Sequence, residues 1–169
     1  MKRQVAVWIA MVGLASVAMG VQQPQGPVTR PEATAVFKRV GTALSIFTGG
    51  KAKPFAPKFA PTGVLTRTEL VREFDRVFEA AKPYFKYTPR PVKFDAAVFS
   101  IKDEDARNKL DKLVKWGCVA RIGPVATAPK DELALAEFGD AVGFLLIRIA
   151  ELTHTPSSKW TPAMMHGDG

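Results

Sequence analysis

Two histidines, one cysteine and a scatter of carboxylates are all that this 169-residue sequence offers to conventional catalysis. His154 and His166 fall in the last sixteen residues, outside any rigid element the pattern predicts, which argues against both a catalytic triad and a histidine metal site. Cys118 alone permits no intramolecular disulfide and no thiolate zinc site, and beside Trp116 it reads as a small buried hydrophobe. Asp103, Glu104 and Asp105 set acids in a row, yet Arg107 and Asn108 occupy places where a calcium loop needs an oxygen ligand and a glycine. The three carboxylates suit the positive end of a helix instead. Glu69 and Glu73, one turn apart, stand among Arg67, Arg72 and Arg76, a composition of solvated ion pairs rather than of an acid and base couple. With no phosphate loop or dinucleotide fingerprint either, the expectation is a protein that is not an enzyme, with no catalytic residues, metal or cofactor.

Binding chemistry is better represented. The 24 Lys and Arg residues exceed the 16 Asp and Glu residues, giving a net charge of +8 that suits a partner bearing carboxylate or phosphate. The excess is local. Residues 51–93 hold ten basic and four acidic side chains, whereas residues 94–169 hold nine and eleven. Near the middle of the basic stretch, Thr66 precedes Glu69 by three positions, the spacing of a reciprocal helix cap. Arg67 would then sit in the first turn, where free amides and the helix dipole favour an anion.

The elements that must hold these residues follow from hydrophobic period. Lys2 and Arg3 precede the uncharged residues 5–20, with Ala18 and Gly20 as small residues at a cleavage site, so residues 1–20 read as a signal peptide and the protein as exported. The run is too short to span a bilayer. Residues 21–30 lack a period and read as a flexible lead-in. Val36, Phe37, Val40, Leu44 and Phe47 predict a helix ending at Gly49 and Gly50, followed by a loop with three prolines. A second helix starts at Thr66, with Leu70, Val71, Phe74, Val77, Phe78 and Ala81 as its apolar stripe and Arg67, Arg72, Glu73, Arg76 and Glu79 on wetter faces. Ser100 and Asp103 open a third, carrying Ala106, Leu110, Leu113 and Val114 and capped by Gly117. The last runs over about residues 133–152 with Phe138, Val142, Leu145, Leu146, Ile149 and Leu152 inward, and the tail beyond it reads as loose.

Sliding the sequence against itself by 68 residues superposes Gly49 on Gly117, Leu65 on Leu133, Glu69 on Glu137, Leu70 on Phe138 and Phe74 on Val142. Two units of helix, loop and helix are predicted, each too small to bury its own face and so packed on the other. The stretch with Phe59, Pro61, Gly63, Leu65, Thr66, Arg67, Thr68 and Glu69 resembles the S-layer homology domain, whose irregular loop carries Phe-x-Pro and whose second helix opens on Thr-Arg-Ala-Glu. The likeness covers about residues 33–152; in the second unit Ala134 and Leu135 replace the threonine and arginine.

The resemblance implies an all-α fold of two packed S-layer-homology-like repeats, residues 31–82 and 99–153, joined by a Pro-rich connector at 83–98, with a flexible tail at 154–169. It implies a non-catalytic envelope protein, in the periplasm or on the cell surface, that binds acidic cell-wall polysaccharide. Arg67 would contact the acidic sugar while Thr66 and Glu69 shape the site. The alternative from another class is an envelope structural module that meets a protein partner and has lost polysaccharide binding. Export argues against nucleic acid as a partner, and the mature form is expected to have no membrane-spanning helix.

Overall fold

Helices begin in this protein where a side chain can satisfy the first free amides. A computed structural model describes residues 26–165; the expected signal peptide lies outside them. Five α-helices are present and no strand occurs among the described residues: α1 Arg30–Phe47, α2 Arg67–Ala81, α3 Glu104–Lys115, α4 Leu135–Thr153 and α5 Ser157–Met165. The fold class is all-α. Short 3-10 turns at Lys82–Tyr84 and Ala96–Val98 bracket the Pro-rich connector.

Thr66 caps α2 as its spacing requires. Its hydroxyl accepts from the Glu69 amide at 3.2 Å, and the Glu69 carboxylate accepts from the Thr66 amide at 3.0 Å. The same reciprocal box opens α1 between Thr29 and Glu32. At α4 half of it remains: Glu137 reaches back to the Ala134 amide at 2.9 Å, but Ala134 has no oxygen to return. Helix α3 differs from expectation, since Asp103 rather than Ser100 is its cap, accepting from the Ala106 amide at 2.8 Å.

Three short extended segments lead into α1, α2 and α4, and they are laced together. Isolated antiparallel bridges join Pro27 to Ala134, Thr29 to Val64 and Thr66 to Glu132. Each segment thus pairs with both others and the ring closes. The Val28 amide donates to Leu133 at 2.8 Å and the Leu65 amide to Val28 at 2.9 Å. Val28, Leu65 and Leu133, each just before its cap, are all buried. Residues 27–29 are therefore fixed, not part of a flexible lead-in; burial of Val28 and the closed ring override the local prolines. Beneath the ring the three helices share one core. Phe37 meets Phe74 at 6.4 Å and Phe138 at 6.1 Å between ring centroids, and Phe55 and Phe59 from the following loop close over it at 5.8 and 6.1 Å.

The apolar stripes predicted for α2, α3 and α4 are buried throughout. Two residues assigned to wetter faces are not: Arg67 and Glu73 are each only 2% exposed. Residues 157–165 of the tail, expected to be loose, form a helix. Helix α5 lies against α1, with Trp160 buried on Phe47 at 5.7 Å despite Pro162 inside the helix. Pro162 removes one backbone donor and lowers helix propensity, and burying an indole outweighs that.

Candidate ligand-binding groove

The first turn of α2 was expected to present Thr66, Arg67 and Glu69 together. Thr66 and Glu69 are joined through the cap, but Arg67 turns into the protein. Its Nη1 donates to Ser100 Oγ at 2.9 Å and to the Val125 carbonyl at 3.3 Å, and its Nε lies 3.8 Å from Asp131 Oδ1 without a hydrogen bond. Burial lowers the guanidinium pKa, partly opposed by Asp131. Facing protein groups on every side, Arg67 is a tie between the α2 cap and the segments around residues 100 and 125. It is not a surface contact in this arrangement, which corrects the role implied by the resemblance.

Arg30 occupies in α1 the place that Arg67 holds in α2. Its Nη2 donates to Glu69 Oε1 at 2.8 Å and its Nη1 to the Thr62 carbonyl at 2.6 Å. Gly63 makes room: at φ 97° a side chain is disfavoured, and a Cβ would stand 2.8 Å from Arg30 Nη1. Glu69 thus serves its own helix cap and the neighbouring helix at once. Burial would raise its pKa, but donation by the Thr66 amide and by Arg30 outweighs it, holding the carboxyl below the ordinary glutamate value. Neither Arg30 nor the Thr29 cap was singled out in the sequence, although Thr29 to Glu32 has the same spacing as Thr66 to Glu69. The neighbouring prolines masked it.

Outward of Glu69, the exposed side of α2 forms one wall of a groove of about 420 Å³, lined by Lys58, Phe59, Ala60, Glu69, Arg72, Glu73, Arg76, Asp105 and Lys109. Most of its cations are already engaged. Arg72 bridges Asp103 at 3.0 Å and Asp105 at 3.2 Å, Arg76 pairs with Glu73 and lies 4.9 Å over the Phe55 ring, and Lys109 pairs with Asp105. Lys58 is different. Its backbone amide is pinned to Glu73 Oε1 at 2.9 Å, while its exposed ammonium has no ion-pair partner among the described residues. Half-buried Phe59 follows it directly.

A second groove of about 210 Å³ lies beside α4, lined by Val119, Ala120, Gly123, Pro124, Val125, Glu137, Asp140, Ala141 and Phe144. Its α4 wall corresponds position by position, at the offset of 68, to the α2 wall: Glu137 to Glu69, Asp140 to Arg72, Ala141 to Glu73 and Phe144 to Arg76. The α4 wall carries neither arginine, and its surface is apolar with an acidic edge. On α1 the counterpart of Arg76 is Arg39, which donates instead to the Met164 carbonyl of α5 at 3.2 Å.

Elsewhere the chemistry is sparse. Among the described residues no group of three acidic, His or Cys side chains could hold a metal ion. Cys118 is buried, and burial pushes its thiol up to about 12 against the weaker pull of Arg148. No family model, no curated protein and no solved structure matches this chain.

Proposed function

We propose that this is an exported, non-catalytic cell-envelope protein, a divergent relative of S-layer homology domains, that binds acidic cell-wall polysaccharide in the charged groove beside the α2 N-terminus. The observation that carries the reading is Lys58, a cation at the groove whose backbone amide is held by Glu73, with no ion-pair partner among the described residues and with half-buried Phe59 next to it in sequence. A sugar carboxylate would complete the ion pair that Lys58 lacks, with a charge-assisted hydrogen bond, and the Phe59 ring offers an apolar face to a pyranose. The balance within the groove supports an acidic ligand: four cations, Lys58, Arg72, Arg76 and Lys109, stand against three carboxylates, Glu69, Glu73 and Asp105. Thr66, Arg67 and Glu69 then act as the frame, holding the helix start and its neighbours in place. Among the described residues no helix is long and apolar enough to cross a membrane, in keeping with retention at the envelope through a bound polymer. The test is cosedimentation with purified sacculi before and after chemical removal of attached polymer. Binding lost with the polymer supports the reading; binding that survives its removal, or fails with every preparation, overturns it.

One observation favours a second reading, an envelope interaction module without polysaccharide binding. The groove beside α4, on the equivalent helix face, has exchanged both arginines for Asp140 and Phe144.

A further inference from the structure

The groove beside α4 is apolar with an acidic edge. Phe144 and Ile147, one turn apart, are 46% and 47% exposed, and Val119, Pro124, Val125 and Ala141 continue the apolar surface. Glu137 and Asp140 at its edge are exposed and have no ion-pair partner among the described residues. A surface of this kind fits a segment that carries cations between apolar side chains.

Residues 86–93 are such a segment. They are irregular and almost wholly exposed, and Lys86, Arg90 and Lys93 stand among them with no acidic residue and no ion pair among the described residues. Tyr87 and Val92 are 42% and 40% exposed, and Pro89 and Pro91 favour an extended backbone, reducing the entropy lost on docking. The segment is anchored at the C-terminal ends of α4 and α3. The Lys86 amide donates to the Leu152 carbonyl at 2.8 Å and the Val92 amide to the Lys115 carbonyl at 3.4 Å. Leu152 lies twelve residues beyond Asp140 on α4, about 18 Å along a helix rising about 1.5 Å per residue. The Lys86 end is thus held away from Asp140, and no residue of 86–93 lines the groove of its own chain.

We propose that a second copy of this chain inserts its 86–93 segment into the α4 groove, with Arg90 and its neighbouring lysines meeting Asp140 and Glu137 and the exposed apolar side chains meeting Phe144. The two surfaces are different patches of one chain, so the contact is head to tail and leaves a free segment on one end and a free groove on the other. Association of this type extends into chains unless its rotation closes a ring. It involves none of the residues assigned to the polysaccharide groove and stands or falls separately from that reading.

Sedimentation velocity of the purified protein over a range of concentrations tests it. The average mass of the wild type is expected to rise with concentration and to fall as salt screens the charges. Phe144→Glu and Arg90→Glu change exposed residues, so circular dichroism should stay native while each variant alone weakens association by at least about tenfold. An equimolar mixture of the two variants retains one intact segment and one intact groove. It should therefore form dimers and nothing larger. A wild type that stays monomeric throughout, association that persists in either single variant, or a mixture that does not form dimers overturns the proposal.

Discussion

Arg67 and Arg30 occupy the same position after the same capping threonine, yet one is nearly enclosed and the other is partly open to solvent. What separates them is the partner: Arg30 meets a carboxylate at 2.8 Å, and Arg67 meets a hydroxyl and a carbonyl. Replacing Arg67 by Met keeps most of the volume but leaves the buried Val125 carbonyl without that donor. Urea unfolding should show a loss of about 1 to 3 kcal/mol, with wall binding unchanged. Loss of binding at native stability would instead restore Arg67 as the ligand contact. Glu69 carries a pH dependence whose direction follows from its lowered pKa. Because the folded form holds the proton less tightly than the unfolded chain, the stabilisation is complete above the unfolded value, about 4.3, and disappears as pH falls through the lower folded value. Glu69→Gln should cost about 1.5 kcal/mol at neutral pH, and the gap to wild type should close on acidification; a gap constant with pH would contradict the assignment.

At the scale of elements, periodicity was informative where a helix has one wet side. The stripes of α2, α3 and α4 were legible for that reason, as was the Gly117 cap at φ 72°. Two features were hidden by proline. Thr29, Arg30, Pro31 and Glu32 repeat the spacing of Thr66, Arg67, Thr68 and Glu69, but the preceding glutamines and prolines have no period of their own. Their order comes from bridges to segments 35 and 107 residues away in sequence, which no local window contains. Helix α5 likewise depends on α1: its nine residues include Pro162, and its anchor is Trp160 on Phe47. Trp160→Ala should lower stability by about 3 to 5 kcal/mol and make residues 157–165 exchange amide hydrogens with the unfolding of α1 or faster. Protection there equal to wild type would show that α5 folds independently of its tryptophan.

For the whole molecule, three capped helices around a closed ring of extended segments expose equivalent faces with three different fates. The α1 face is engaged by α5 at Arg39, the α2 face is a charged groove, and the α4 face is an apolar groove with an acidic edge. The basic excess of residues 51–93 was legible as composition, and the charged groove draws Lys58, Arg72 and Arg76 from that stretch. The particular cation was not, because Lys58 differs from the other lysines of that loop through a backbone bond to Glu73, a buried carboxylate that the sequence placed on a wet face. The central claim is that this lysine meets an acidic sugar, and the most direct measurement is the dissociation constant of Lys58→Ala and wild type for the same polymer-bearing sacculi. Loss of one charge-assisted contact predicts binding about tenfold weaker for Lys58→Ala, at unchanged thermal stability. Equal dissociation constants for the two proteins would contradict the account.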